Sequence, residues 1–284
     1  MMSSVPNIVL NNGVEIPQLG FGVFQIDRAQ TVHAVLAAFD AGYRHIDTAQ
    51  MYGNEGEVGQ AVEESRLPRD EIFITTKLNN DQHGYDSAIT ALDESLERLR
   101  TDYVDLYLIH WPVHDEDRYI DTWTALEALL ADGKARAIGV SNLRVGHLER
   151  LAERNNTVPA INQVELHPNV QQSKLRVYHK AHSITTEAWS PIARGKTLRD
   201  PTIRALAEKY GKSPAQVILR WHVQEGNSVL IKSATPSRIQ ENIEIFDFEL
   251  APGDMRTMAR LDGDPDGAPS YTKEAAARMP YWKP

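Results

Sequence analysis

Residues 72–109, IFITTKLNNDQHGYDSAITALDESLERLRTDYVDLYLI, contain two apolar runs with a helical pattern between them. The runs Ile72–Lys77 and Tyr103–Ile109 are nearly continuously apolar, which is typical of strands that are buried on both faces. The intervening stretch Ser87–Leu99 has the period of an amphipathic helix, with one apolar face made of Ile89, Leu92, Leu96 and Leu99. The whole stretch therefore predicts a strand, a helix and a second, parallel strand.

The same alternation of strand and helix extends in both directions along the chain. The further strand candidates are Gln18–Phe24, Tyr43–Asp47, Ala135–Val140, Ala160–Glu165, Thr185–Trp189 and Ser228–Ile231. Helical patterns lie at Thr31–Ala41, Glu55–Glu64, Thr122–Ala131, Val145–Arg154, Ser173–Ala181, Pro201–Tyr210 and Pro236–Glu244, and Ser213-Pro214 begins another. Eight such units, repeating about every 30 residues, predict a closed (β/α)8 barrel, with an open doubly wound sheet as the main alternative. We expect a single domain over residues 1–284, with a β-hairpin at Ile8–Ile16 before the barrel.

The composition is that of an acidic globular protein. Of the 284 residues, 24% are charged, and the formal net charge of −9 argues against nucleic acid or an anionic membrane as a partner. The chain has no cysteine, so disulfides, thiolate catalysis and cysteine-ligated zinc are excluded. Because the sequence shows neither a signal peptide nor a membrane-spanning apolar run, we expect a cytoplasmic protein, and we expect it to be a monomer. An anionic ligand would need a local basic pocket.

Polar side chains stand where several of the predicted strands end. In a barrel of this type the C-terminal ends of the strands meet at one rim, which carries the active site. The second run ends in Asp47 with Tyr52 close behind it, the third ends in Lys77 and the fourth in His110. Taken alone, each of these residue types at a strand end is more often structural or solvent-exposed than catalytic. An acid, a phenol, an amine and an imidazole that converge on one rim indicate a catalytic site.

The stretches that contain these residues resemble the aldo-keto reductase family. They read GYRHIDTA at 42–49, YGNE at 52–55, TKL at 76–78, LIHWP at 108–112, GVSN at 139–142, NQVELHP at 162–168 and IKS at 231–233. Within the family, Trp189-Ser190-Pro191 and the compact C-terminus resemble the bacterial 2,5-diketo-D-gluconate reductase-like branch. The resemblance implies a (β/α)8 barrel that reduces aldehydes or ketones with NADPH, α-dicarbonyls and keto-sugar acids among them.

The resemblance also implies a role for each of the four rim residues. Tyr52 donates a proton to the carbonyl oxygen, Lys77 lowers the pKa of Tyr52, Asp47 keeps Lys77 charged, and His110 positions the carbonyl. Electrostatics favours the same roles. An ammonium at about 4 Å stabilises a phenolate by roughly 4 kcal/mol at an effective dielectric constant near 20, before desolvation is subtracted. We therefore expect the pKa of Tyr52 to approach neutrality.

The cofactor residues follow from the resemblance as well. No Gly-x-Gly-x-x-Gly motif follows a strand, which argues against a Rossmann site. The family instead binds an extended nicotinamide cofactor across the barrel, here through Ser141, Asn142, Gln163, Trp189 and Ser190. A helix start with nearby cations suits the 2′-phosphate of NADPH, and the predicted residues at that end are Lys232, Ser233, Arg238, Glu241 and Asn242.

The substrate is expected to contact Phe24, Tyr52, His110 and Trp111. Relatives often carry tryptophan after the TKL motif, whereas Asn79-Asn80 follows it here, so the pocket wall is expected to be more polar. The C-terminal tail, through Trp282, is expected to fold over the site as a loop. Its motif Asp262-x-Asp264-x-Asp266 imitates the start of a calcium loop, but the closing position is Lys273, so we expect no metal.

Two other functions compete with carbonyl reduction. A metal-dependent barrel hydrolase would use Asp47, His110 and His167 and would lose activity on chelation. A regulatory protein with vestigial reductase activity would bind NADPH tightly and turn over no carbonyl. The paired lysine and tyrosine argue against the first alternative, and the intact set of four rim residues argues against the second.

Overall fold

The eight apolar runs of the sequence form a closed barrel of parallel strands. The structure, a computed structural model, describes residues 5–112 and 118–263. After a hairpin of β1 (Asn7–Val9) and β2 (Glu15–Pro17), the barrel strands are β3 (Leu19–Gly22), β4 (His45–Asp47), β5 (Phe73–Leu78), β6 (Val104–Ile109), β7 (Ala135–Ser141), β8 (Ile161–Glu165), β9 (Thr185–Trp189) and β10 (Ser228–Ile231). Each strand pairs in parallel with its neighbours in chain order, and β10 pairs with both β9 and β3. The closed ring confirms the predicted (β/α)8 barrel and excludes the open sheet.

Helices alternate with the barrel strands as the sequence predicts. They are α1 (Arg28–Ala41), α2 (Glu55–Ser65), α3 (Tyr85–Leu99), α4 (Arg118–Ala131), α5 (Val145–Arg154), α6 (Ser173–Ala181), α7 (Pro201–Tyr210), α8 (Pro214–Gln224), α9 (Pro236–Ile243) and α10 (Pro252–Ala259). The sequence analysis did not predict α10, because this short stretch carries too few apolar residues for a clear helical period.

Local capping chemistry sets several helix boundaries. Helix α1 begins three residues before its predicted start because the side chain of Asp27 accepts a hydrogen bond from the Ala29 N–H. Its last residue, Ala41, is followed by Gly42, whose φ of 105° would be strained for a residue with a side chain. Helix α8 begins with a reciprocal capping box between Ser213 and Gln216.

The hairpin packs against the barrel strands at their N-terminal ends. Leu10 and Ile16 join a buried apolar cluster with Phe73, Leu106, Leu108, Ala137, Ala160 and Ile161. At this end Gly20 makes room for a buried histidine, since a Cβ atom there would lie 2.4 Å from Nδ1 of His45. The hairpin and this core close one end of the barrel. The C-terminal strand ends at the other end remain available for a site.

The C-terminal tail, including Asp264 and Asp266 of the calcium-like motif, lies outside the described residues. Its predicted position over the site therefore stays a prediction. Of the described helices, none combines the length and the apolar character needed to cross a membrane.

Candidate active site

Four side chains from neighbouring strands meet at the C-terminal rim of the barrel. Asp47 is the last residue of β4, Tyr52 closes a short 3₁₀ helix just beyond it, Lys77 lies in β5, and His110 directly follows β6. The Nζ atom of Lys77 lies 2.8 and 2.7 Å from the two carboxylate oxygens of Asp47 and 3.3 Å from Oη of Tyr52. The rings of Tyr52 and His110 contact each other edge to face, with centroids 5.7 Å apart. The four residues singled out in the sequence thus form one cluster.

Lys77 is fully buried, and its charge is compensated by its hydrogen-bond partners. An unpaired ammonium is highly unfavourable in a protein interior. Here the carboxylate of Asp47 accepts two hydrogen bonds, and the carbonyl of Thr48 accepts another at 2.9 Å. Burial is the largest single influence and would lower the pKa of Lys77, but Asp47 and Tyr52, through their charges and hydrogen bonds together, raise that pKa. Lys77 therefore stays an ammonium.

The pKa of the Tyr52 phenol differs from the one predicted from the sequence. Burial raises the pKa of its phenol, and Lys77 lowers that pKa by less than burial raises it. The carboxylate of Asp47 also raises the pKa of Tyr52, because it cancels much of the field of the ammonium beside it. The prediction that Lys77 brings the pKa of Tyr52 towards neutrality is therefore wrong. The phenol keeps its proton throughout the neutral range.

His110 is a neutral imidazole in this cluster. Burial lowers its pKa well below the ordinary range, and the nearby ammonium of Lys77 lowers it further. A neutral imidazole carries one N–H. It can donate a hydrogen bond to a bound group without adding a second positive charge beside Lys77.

The predicted substrate residues form an aromatic wall next to these groups. The ring of Phe24, which is 36% exposed, lies 4.9 Å from the ring of Tyr52. On the other side, Trp111 stacks on His110 with centroids 6.4 Å apart. A ligand that reaches Tyr52 and His110 therefore contacts apolar ring surface as well.

The residues predicted to bind nicotinamide form a hydrogen-bonded group beside the cluster. Nε1 of Trp189 donates to Oδ1 of Asn142 at 3.0 Å, and Nδ2 of Asn142 donates to the carbonyl of His110 at 3.0 Å. The hydroxyl of Ser141 accepts a further hydrogen bond from Asn142. Asn142 and Ser190 have φ values of 64° and 52°, in the left-handed region where residues with side chains are strained. These contacts fix the indole of Trp189 at the rim.

The predicted phosphate and adenine residues line a separate cavity of about 270 Å³ at the start of α9. Its walls include Lys232, Ser233, Arg238, Glu241, Asn242, Ile192 and Leu198. The hydroxyl of Ser233 accepts a hydrogen bond from the backbone N–H of Thr235, which stands before the first turn of α9. Two cations beside a helix N-terminus make the local basic pocket that an acidic protein needs for an anion. A larger groove of about 1030 Å³ lies at the hairpin end and contains none of these residues.

Comparison with known proteins agrees with this geometry. The model of the aldo/keto reductase family matches residues 18–262. The chain belongs to the aldo/keto reductase family. A glyoxal reductase from Bacillus subtilis is 49% identical over 258 residues, which cover 90% of this chain and 93% of the relative.

Solved aldo/keto reductase structures superpose closely on this one. An aldo/keto reductase from Brucella melitensis is 52% identical, with a TM-score of 0.89 over 91% of this chain and 100% of its own. The aldo-keto reductase of Bombyx mori in complex with NADP is 35% identical, with a TM-score of 0.89 over 98% of this chain and 99% of its own. The family resemblance is thus confirmed and the protein is an oxidoreductase. Its assignment to the 2,5-diketo-D-gluconate reductase-like branch stays a prediction.

Sequence reasoning missed a second buried carboxylate in this aldo/keto reductase. Glu187 lies in the middle of β9 and is fully buried. Its Oε2 atom accepts a hydrogen bond from Nε2 of Gln163 at 2.7 Å, and the same amide nitrogen donates to Oδ2 of Asp47 at 2.9 Å. The signal was present in the sequence, since a glutamate inside an apolar strand needs a buried partner.

A second missed contact joins the two loops that carry the cluster. Oε1 of Gln50 accepts the backbone N–H of Asn79 at 3.1 Å, and Oδ1 of Asn79 accepts the N–H of Asn80. Gln50 belongs to the same 3₁₀ turn as Tyr52. The side chain of Gln50 thus ties the Tyr52 turn to the backbone just after β5, whereas the side chain of Asn79 bonds to its neighbour Asn80.

The hydrolase alternative finds no support at the same residues. Both carboxylate oxygens of Asp47 accept hydrogen bonds from Lys77, and Nε2 of His167 lies 3.7 Å from Glu165. In the part of the chain that the structure describes, no three acidic, histidine or cysteine side chains are grouped to hold a metal ion.

Proposed function

We propose that this protein reduces aldehydes and ketones to alcohols with NADPH, and that Tyr52 is the general acid. The observation that carries the proposal is the buried Lys77–Asp47 pair, with Oη of Tyr52 3.3 Å from the ammonium and a neutral His110 in ring contact. The similarity to a glyoxal reductase and to an NADP complex supports it.

Each residue has a task that its surroundings suit. NADPH, when bound, would supply a hydride to the carbonyl carbon, and negative charge would develop on the carbonyl oxygen. Tyr52 delivers its proton to that oxygen, and His110 donates a hydrogen bond that orients it. The ammonium of Lys77 stabilises the phenolate that remains, while Asp47 holds the ammonium in place. A raised pKa in Tyr52 is compatible with this task, since an alkoxide is more basic than a phenolate.

The residues present fit an extended NADPH molecule. Trp189, held through Asn142, offers an indole face for the nicotinamide, and Ser141 and Gln163 offer polar groups for its carboxamide. Arg238 and Lys232 carry the charge that a 2′-phosphate requires. Ser190 has a strained backbone directly after β9, and in the sequence it lies between the predicted nicotinamide residues and the predicted 2′-phosphate residues.

We infer that the substrate is a small carbonyl compound with a further oxygen. Phe24 and Trp111 supply apolar ring surface, whereas Gln50 and Asn79 supply amides near the Tyr52 turn. An α-dicarbonyl or a keto-sugar acid matches that combination.

The proposal is tested by following NADPH oxidation with methylglyoxal, phenylglyoxal, a nitrobenzaldehyde and a keto-sugar acid. We expect turnover with at least one of these compounds without added metal. Tight NADPH binding with no turnover on any carbonyl would favour the regulatory alternative and contradict the proposal.

Arg238→Ala is expected to weaken NADPH binding by about 30-fold, in line with the loss of a charge-assisted hydrogen bond. NADH binding should change less than about twofold, because NADH lacks the 2′-phosphate. Quenching of tryptophan fluorescence gives the dissociation constants of NADPH and NADH for wild type and Arg238→Ala. Arg256→Ala, which removes an exposed arginine from α10, is the matched control and should change neither. Equal weakening of both cofactors by Arg238→Ala would remove Arg238 from 2′-phosphate recognition.

Reduction and oxidation are expected to depend on pH in opposite ways. Burial raises the pKa of Tyr52 despite the opposing effect of Lys77. The proton needed for reduction is therefore present from about pH 6 to about pH 9 and is lost only at more alkaline pH. Alcohol oxidation needs the phenolate and should rise with pH over the same range. The check is kcat/KM in both directions across this range. If kcat/KM for reduction instead fell with a midpoint at about pH 6.5, a histidine would be the proton donor.

A further inference from the structure

Glu187 is a buried carboxylate that the proposed mechanism does not use. It is fully buried in β9, and both of its oxygens accept hydrogen bonds. Oε1 accepts from the hydroxyl of Ser228 in β10 at 2.8 Å, and Oε2 accepts from Nε2 of Gln163 in β8 at 2.7 Å. Such an arrangement suits an ionised carboxylate, which only accepts hydrogen bonds. Glu187 is thereby fixed between two strands, one of which carries Gln163.

The side-chain amide of Gln163 has one orientation in this environment. Its nitrogen donates one hydrogen to Glu187 and the other to Oδ2 of Asp47 at 2.9 Å. If the amide were flipped, its oxygen would face two carboxylates, and three acceptors would meet without a donor. The two carboxylates therefore hold the nitrogen on their side and turn Oε1 away from themselves.

We propose that Glu187 is a positioning residue: it orients the amide of Gln163 so that Oε1 accepts the carboxamide N–H of NADPH, and it links that contact to the Asp47–Lys77 pair. The inference rests on the proposed function and deepens it by naming the group that sets the cofactor's orientation. The link runs through a single amide nitrogen, because that nitrogen contacts Glu187 and Asp47 together.

The charge of Glu187 also acts on the rim cluster. The charged and titratable groups that face it are Asp47 of β4, Lys77 of β5 and Tyr52 in the turn after β4, while β8 and β10 contribute a neutral amide and a neutral hydroxyl. Burial raises the pKa of Glu187, and its hydrogen bonds and Lys77 lower it. As an anion, Glu187 raises the pKa of Tyr52. Its loss should therefore ease deprotonation of Tyr52.

Glu187→Ala and Glu187→Gln separate these two effects. Glu187→Ala removes the acceptor for Gln163 and should weaken NADPH binding by about tenfold, the scale of one lost charge-assisted hydrogen bond. Glu187→Gln keeps an acceptor of the same shape but removes the charge. It should bind NADPH within about threefold of wild type, and it should shift the alkaline limb of the reduction profile to lower pH. Binding is measured by fluorescence titration and the profile by steady-state kinetics.

Glu55→Gln is the matched control, because Glu55 is another buried carboxylate but bonds to Thr76 and Arg98 outside the cofactor region. It should leave both NADPH binding and the pH profile unchanged. If wild type neither binds NADPH nor reduces a carbonyl, the proposed function fails. If wild type does both and Glu187→Gln leaves the alkaline limb in place, or a folded Glu187→Ala binds NADPH as wild type does, the positioning role alone is overturned. Should Glu187→Ala fail to fold, the Glu187→Gln profile decides.

Discussion

Tyr52→Phe is expected to lower kcat for carbonyl reduction by about a thousandfold, within the range that general acid catalysis contributes. The variant keeps the ring that packs against Phe24 and loses only the hydroxyl. Lys77 keeps its shorter hydrogen bonds to Asp47 and Thr48, so the buried charge stays paired. NADPH binding should therefore remain within about twofold of wild type, since none of the predicted cofactor contacts uses the hydroxyl. Single-turnover reduction and a separate cofactor titration distinguish the two effects.

Tyr119→Phe is the matched control for that change. Tyr119 is also buried, and its hydroxyl donates a hydrogen bond to the backbone carbonyl of His147 rather than to one of the four clustered residues. Removing that hydroxyl should affect stability slightly and turnover little. If Tyr52→Phe keeps near-normal turnover while both variants are folded, Tyr52 is not the proton donor and the proposed mechanism is wrong.

The fold could be predicted from the sequence because the barrel strands are buried on both faces. Runs such as Tyr103–Ile109 then carry no polar alternation, and the helices between them have one apolar face. The start of α1 was placed too late because it depends on the cap at Asp27 rather than on apolar period. Helix α10 was missed because its short stretch carries too few apolar residues for a clear helical period. The single domain, the monomeric state and the cytoplasmic location stay predictions.

The candidate site was predictable as a set of residues but not as an electrostatic environment. The rule that strand ends share one rim is topological, so Asp47, Lys77 and His110 could be brought together from the sequence alone. The pKa of Tyr52 depends on how much water the fold excludes and on the neutralising effect of Asp47. A sequence motif shows neither quantity. The prediction from the sequence therefore included the attraction of Lys77 for the phenolate but underestimated the desolvation of Tyr52. Glu187 was missed because its partners come from two other strands.

Protonation of buried histidines is expected to destabilise this protein as the pH falls below about 6.5. Besides His110, four histidines of the described residues are buried as neutral imidazoles whose pKa values burial lowers to about 3 or 4; they are His45, His83, His179 and His222. The direction of the pH effect on stability follows from the number of protons that each state binds. The folded state binds fewer protons than the unfolded state below about pH 6.5, so their contribution to stability is intact above that pH and is lost as the pH falls towards the folded values.

At pH 5 each of these histidines should lower the free energy of unfolding by about 2 kcal/mol relative to neutral pH, since one pKa unit corresponds to about 1.4 kcal/mol. Burial raises the pKa values of Asp47 and Glu187, which acts in the opposite direction as they gain protons. The contribution of the four histidines is by itself destabilising. It is comparable with the whole stability of a typical domain. Urea unfolding at about pH 7.5 and at about pH 5 measures it.

His179→Gln isolates one of these contributions. In the folded protein, Nε2 of His179 accepts a hydrogen bond from Nδ2 of Asn162 at 2.9 Å, while Nδ1 lies 2.8 Å from the hydroxyl of Thr186. Protonation would place an N–H against the donor of Asn162, which adds to the cost of burying a charge. The glutamine variant cannot titrate, so its loss of stability between the two pH values should be about 2 kcal/mol smaller than that of wild type. His33→Gln, at an exposed position, should leave the loss unchanged. Equal pH dependence in wild type and His179→Gln would show that this buried imidazole does not couple folding to protons.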